Sequence, residues 1–217
     1  MARGYLLYGG PGTGAVTVEA ALTLLGQPYE LVDAPDEAAL AAVAAKTALR
    51  QVPALVFPNG ELMSESSAIL IRLAELHPEA GLAPGAGDPR RGQFLRWMSF
   101  VSSAIYAHYW LKDDPGRLVA GAAPAAEVEA GLNARIADCW AIMERQVSPG
   151  RYILGDELTV LDLYVTVVSR FRPRRRRFYA VAPRMGEAVR RVDADPRLAA
   201  LWADRYPFEP GWEEMPE

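Results

Sequence analysis

Cysteine is almost absent: Cys139 is the only thiol among 217 residues, so no disulfide can close within the chain. That scarcity fits a reducing compartment, and a cytoplasmic location is the expectation. Histidine is nearly as rare. His77 and His108 stand far apart and beside no cysteine, so no metal site is expected. A charge excess is missing too. Lys and Arg number 23 against 27 Asp and Glu, and a net charge of -4 gives no general attraction to nucleic acid or to an anionic membrane surface. No apolar run approaches the ~18 residues of a membrane span. The opening Met1-Ala2-Arg3-Gly4 lacks the apolar core and cleavage site of a secretion signal. What is present is an ordinary globular composition, 51% hydrophobic and 23% charged, able to bury a core.

The first third of the chain alternates strand and helix signals. Tyr5-Leu6-Leu7-Tyr8 is a short apolar strand stopped by Gly9-Gly10-Pro11-Gly12. A helix is predicted over residues 14–25, where Val18, Leu22 and Leu25 share one face and Gly26 supplies the C-cap. Residues 29–32 form a second strand, and the Ala-rich stretch 36–49 has strong helix propensity. Residues 54–57 and 61–63 pair as a hairpin around Pro58-Asn59-Gly60. Ser64 then caps a helix with Ile69, Leu73 and Leu76 on its apolar stripe. The order is βαβαββα over residues 1–77. Residues 78–88, with Pro78, Gly81, Pro84, Gly85 and Gly87, read as a linker. Residues 89–217 show only helical patterns, predicted over 89–112, 125–147, 159–170, 183–192 and 196–205. In the second of these Cys139 falls on the buried face with Val128, Leu132, Ile136 and Met143, which argues against thiol transfer through it.

Three short motifs carry chemistry. In Val52-Pro53-Ala54-Leu55, the proline cannot donate to a sheet ladder. With a cis bond, Val52 would turn its N–H and C=O outward to meet an extended peptide; the plainer alternative is a trans proline at a strand edge. Glu65-Ser66 stands at a helix start, where backbone N–H groups and the dipole favour a carboxylate. The Ser66 hydroxyl can donate to that anion and Glu65 can pair with an ammonium group, so the two suit the end of an α-amino acid; the alternative is simple capping. Thr159-Val160-Leu161-Asp162 is a capping box before an apolar run.

In this order and spacing the motifs, together with Tyr8-Gly9-Gly10-Pro11-Gly12-Thr13-Gly14 and Leu154-Gly155-Asp156, resemble the glutathione transferase family over most of the chain. The resemblance implies a thioredoxin-like α/β domain followed by an all-α helical domain, of the bacterial cytosolic type, acting as a homodimer in detoxification. Glutathione would be a substrate rather than a cofactor, bound by Val52, Pro53, Glu65 and Ser66. Its thiolate would attack a small apolar electrophile held against Tyr106, Tyr109 and Trp110. The loop departs from the family in offering no Ser or Cys. Thr13 and Tyr8 are therefore the catalytic candidates, with the amides at the start of the first helix as further donors to sulfur. The alternative is a weak or inactive glutathione-binding or protein-interaction module on the same fold.

Two rival signals are present. Gly10-x-Gly12-x-x-Ala15 with Asp33 satisfies a dinucleotide-binding pattern, but a hairpin and helices follow where further parallel strands are required. Arg170 to Arg177 holds six arginines in eight residues and reads as a solvated connection between helices.

Overall fold

The computed structural model describes residues 4–33, 41, 43, 45, 51–172, 174–206 and 210–214. Four strands form one mixed sheet: β1 (Tyr5–Gly9), β2 (Tyr29–Asp33), β3 (Ala54–Val56) and β4 (Leu62–Ser64), in the order β2-β1-β3-β4. β1 runs parallel to β2 and antiparallel to β3, with Leu7 set between Leu31 and Leu55. Two antiparallel pairings in a four-stranded sheet rule out the doubly wound dinucleotide fold. Asp33 instead meets Arg205 at 2.8 Å.

Helix α1 (Ala15–Leu24) joins β1 to β2, and every residue from Ala15 to Leu22 is buried. It is apolar nearly all round, so it must be covered on all sides: the sheet and α2 (Ser66–Leu76) lie on one side and α6 (Val160–Val168) on the other. α1 ends as expected at Gly26, whose φ of +63° is left-handed. The Gly26 N–H donates to Thr23 O and the Gln27 N–H to Leu22 O, the paired bonds of a Schellman stop. Of the stretch 36–49, Ala41, Val43 and Ala45 are helical; its other residues lie outside the described residues.

The helical part differs from expectation in three places. The predicted helix 89–112 is α3 (Arg91–Phe100) and α4 (Ala107–Asp113), separated by a π-helical segment, Val101–Tyr106. α5 starts earlier than predicted, at Ala122, and ends at Gln146, because Pro124 is tolerated in a first turn whose N–H groups lack partners anyway. The arginine run is the larger correction. It contains a helix, α7 (Arg175–Val181), and Arg170 and Arg175 are interior side chains, 3% and 0% exposed. Both pair with Asp193 at the end of α8 (Pro183–Asp193). Arg170 also stacks 4.3 Å from the Trp202 ring in α9 (Ala199–Arg205). These two arginines leave solvent because the Asp193 carboxylate neutralises them and aromatic faces cover them, while Arg172 and Arg176 of the same run stay exposed.

The capping box forms. Asp162 Oδ2 accepts from Thr159 N at 2.9 Å and Thr159 Oγ1 at 2.8 Å, and Oδ1 accepts from Ile153 N at 2.8 Å. Burial pushes this carboxyl up to about 6, against the pull of its three donors. Asp162→Ala is expected to destabilise the protein by about 2–4 kcal/mol, because it strands two buried N–H groups and removes the cap. Urea unfolding would check this; a loss under about 1 kcal/mol would mean that water replaces the carboxylate.

Candidate functional site

A cavity of about 910 Å³ opens between the sheet half and the helices. Every candidate residue except Tyr8 lines it: Thr13, Val52, Pro53, Glu65 and Ser66 from one side, Tyr106, Tyr109 and Trp110 from the other. Tyr8 is corrected. Successive side chains of β1 point to opposite faces, and Tyr8 packs with Val43 and Ala54 in a small cluster, 7% exposed.

The Val52–Pro53 peptide bond is cis, immediately before β3. Beside it, where β4 pairs with β3 through Ser64 and Ala54, lies the start of α2. Its first N–H groups have no partners within the helix, so the dipole end faces the cavity. Glu65, just ahead of that helix, has φ 69° and ψ 101°, a left-handed conformation for a residue with a side chain. Such strain costs about 1–3 kcal/mol and concentrates at binding sites. β4 runs on through Ser64, so Glu65 is the N-cap residue, and not Ser64 as the sequence pattern indicates. The Ser66 hydroxyl is buried and donates to Tyr164 Oη at 3.1 Å.

The third corner is the start of α1. Thr13 Oγ1 donates to Gly10 O at 2.7 Å and accepts from Ala15 N at 3.2 Å. It is a capping residue whose proton is committed inside the loop, which corrects its expected role as the donor to sulfur. The loop amides are engaged too. The Gly12 N–H donates to Arg205 O at 3.0 Å and the Thr13 N–H to Gly10 O at 3.3 Å. The Tyr106 hydroxyl packs against Gly14, in the space a Cβ would fill.

The aromatic wall is partly core. Tyr109 is 3% exposed and packs edge-on against Phe171, with ring centroids 5.4 Å apart. Tyr106 meets the same Phe171 at 5.2 Å. Trp110 is 43% exposed, with the Arg117 guanidinium 4.0 Å from its ring. Sequence reasoning missed Tyr164, Phe171 and Tyr206 as lining residues. The one available signal was a tyrosine in the largely apolar run of α6. Among the described residues no helix is long and apolar enough to cross a membrane, and no His, Cys, Asp and Glu cluster could hold a metal ion.

A thioredoxin-type sheet, a cis-proline edge and a capped helical half are the parts of the glutathione transferase fold. Residues 8–81 match the family model for the glutathione S-transferase N-terminal domain, and the chain as a whole has the glutathione S-transferase fold. It is 29% identical to the uncharacterized GST-like protein YncG of Escherichia coli (strain K12), over 77% of this chain and 82% of that protein. A glutathione transferase homolog from Sulfitobacter, solved with bound glutathione, superposes with a TM-score of 0.81 at 24% identity, covering 94% of this chain and 99% of that one. The transferase URE2P6 from Phanerochaete chrysosporium, in complex with oxidized glutathione, gives 0.80 at 18% identity, covering 94% and 97%. These last two likenesses establish the fold.

Proposed function

We propose that this protein is a glutathione transferase that joins the glutathione sulfur to a small apolar electrophile. One observation carries the reading: a single cavity unites the Val52–Pro53 edge, the Glu65–Ser66 helix start and the beginning of α1, with aromatic rings opposite. Glutathione lies along the sheet half; several proteins of similar fold were solved with glutathione bound. Its cysteine backbone pairs with Val52. Its γ-glutamyl carboxylate meets the start of α2, and its ammonium group meets Glu65. In the reaction the thiol proton passes to solvent and the thiolate attacks an electrophilic carbon of the second substrate. The sulfur–carbon bond forms as the leaving group departs with its bonding pair. Holding both partners in one cavity supplies much of the acceleration. The chain acts as a cytoplasmic homodimer, which light scattering of the purified protein would test.

The alternative of a binding module gains one specific observation, the commitment of the Thr13 hydroxyl and the loop amides to protein acceptors. Calorimetric titration of glutathione, followed by an aryl halide conjugation assay, separates the two. Binding with turnover supports the transferase, and binding without turnover supports the module. If glutathione does not bind at all, both fail.

Glu65→Ala keeps the backbone conformation but removes the partner of the ammonium group. Its glutathione Kd should rise about 10- to 100-fold, the loss of one charge-assisted hydrogen bond. A Kd within about threefold of wild type, smaller than one such bond, would remove Glu65 from the site.

A further inference from the structure

The first helix begins at a bare glycine, and the space that a side chain would fill there is occupied from elsewhere. A Cβ placed on Gly14 would overlap the Tyr106 hydroxyl and lie 2.8 Å from Cε1 and Cζ of the same ring. Tyr106 is the last residue of the π-helical segment Val101–Tyr106. Such segments are rare, shift the register of the residues that follow, and recur at functional sites. The ring is held from two sides, by Tyr164 at a centroid distance of 6.3 Å and by Phe171 at 5.2 Å. It lines the cavity, so the hydroxyl borders the space next to the start of α1.

The hydroxyl sits against the Gly14 backbone at the start of α1, and a protonated phenol there has one hydrogen to donate. The Gly12, Thr13 and Ala15 amides and the Thr13 hydroxyl already have acceptors. Burial raises the Tyr106 phenol far above its ordinary value, so it stays protonated at neutral pH.

We propose that Tyr106, delivered from the helical half of the chain, is the hydroxyl donor that holds the glutathione sulfur as a thiolate, in place of the side chain that the loop lacks. The inference rests on the glutathione-site reading above and assigns Tyr106 a catalytic role in place of a place in the electrophile wall. The thiol proton leaves to solvent. The thiolate accepts a hydrogen bond from Tyr106 Oη, and the phenol keeps its proton throughout. When the sulfur–carbon bond forms, the negative charge leaves with the displaced group and the hydrogen bond to sulfur weakens.

The test is a pH titration of bound glutathione, read by thiolate ultraviolet absorbance, in wild type, Tyr106→Phe and Gly14→Ala, with aryl halide conjugation measured alongside. Tyr106→Phe should raise the apparent pKa of the bound thiol by about 1–2 pH units, the worth of a charge-assisted hydrogen bond. Its kcat at neutral pH should fall about 10- to 100-fold and recover at alkaline pH, while KM for glutathione changes less than about threefold. Gly14→Ala keeps the phenol but pushes it off the helix start, and should shift the thiol in the same direction. It serves as the readout if the Phe variant does not fold. Unchanged thiol pKa and kcat in either folded variant, with glutathione still bound, overturn the role of Tyr106 alone. Failure of wild type to bind glutathione overturns the site reading and this inference with it.

Discussion

Arg205→Leu is expected to destabilise the protein by about 3–5 kcal/mol at neutral pH, because it strands a buried carboxylate. Arg205 Nε meets Glu19 Oε1 at 3.0 Å, and the two side chains are 5% and 2% exposed. Arg205 also holds Asp33 at 2.8 Å, so it ties α9 to both α1 and the edge strand β2. Burial already raises the Glu19 carboxyl, with Arg205 opposing the rise. Without the guanidinium the rise grows, and the folded state then binds a proton that the unfolded state gives up. The contribution of a raised carboxyl to stability is fully present below its ordinary pKa and is lost as pH climbs through the raised value. The defect should therefore be larger at pH 7 than at pH 5. Adding Glu19→Gln should restore part of the loss at pH 7. Urea unfolding at both values measures this; a pH-independent defect would show that Glu19 is not the stranded group. A functional loss should accompany it. The Gly12 N–H donates to the Arg205 carbonyl at 3.0 Å, and Tyr206 Oη donates to Thr13 O at 3.3 Å, so the end of α9 braces the loop before α1.

Asp193→Ala should cost about as much, 3–5 kcal/mol, roughly a 10 °C fall in Tm for a chain of this size. One carboxylate serves both Arg170 and Arg175. Burial lowers the Arg170 pKa, with Asp193 opposing it. For Arg175, burial works against the charge, yet the aspartate leaves its pKa raised. Arg175 keeps hydrogen bonds to Thr166 O at 2.9 Å and Ser169 Oγ at 3.1 Å, so its position survives while its charge loses compensation. Asp193→Asn, which retains shape but not charge, should recover less than half of the loss if electrostatics dominate. Full recovery by Asn would make packing the cause. The measurement is thermal unfolding of the three proteins.

Most of the architecture was legible because its signals act over a few residues. Gly26 stops α1 through bonds to Leu22 and Thr23, and Thr159 with Asp162 starts α6 from three residues away. The boundaries that moved are those where local signals compete. Ser64 is a good cap by type, but pairing with Ala54 keeps it in β4 and passes the cap position to Glu65. The helix predicted over 89–112 contains a π-helical segment that no periodicity announces, ending at Tyr106, whose ring packs against Tyr164 and Phe171. The arginine run looked solvated because sequence shows six like charges and conceals Asp193, which is 23 residues from Arg170.

The sequence by itself determined the strand and helix order of the first domain, the proline edge, the acidic helix start and the resemblance to glutathione transferases. These follow from dihedral preferences, caps and turn chemistry, which each residue carries wherever the chain goes. Only the tertiary structure decided which groups share the cavity. Tyr8 left it for the opposite face of the sheet, Tyr164 reached Ser66 across 98 residues, and Arg205 reached Glu19 across 186. A second hydroxyl reached the start of α1 from Tyr106, on another element entirely. Juxtapositions of this kind are set by how whole helices pack, and no local pattern encodes them.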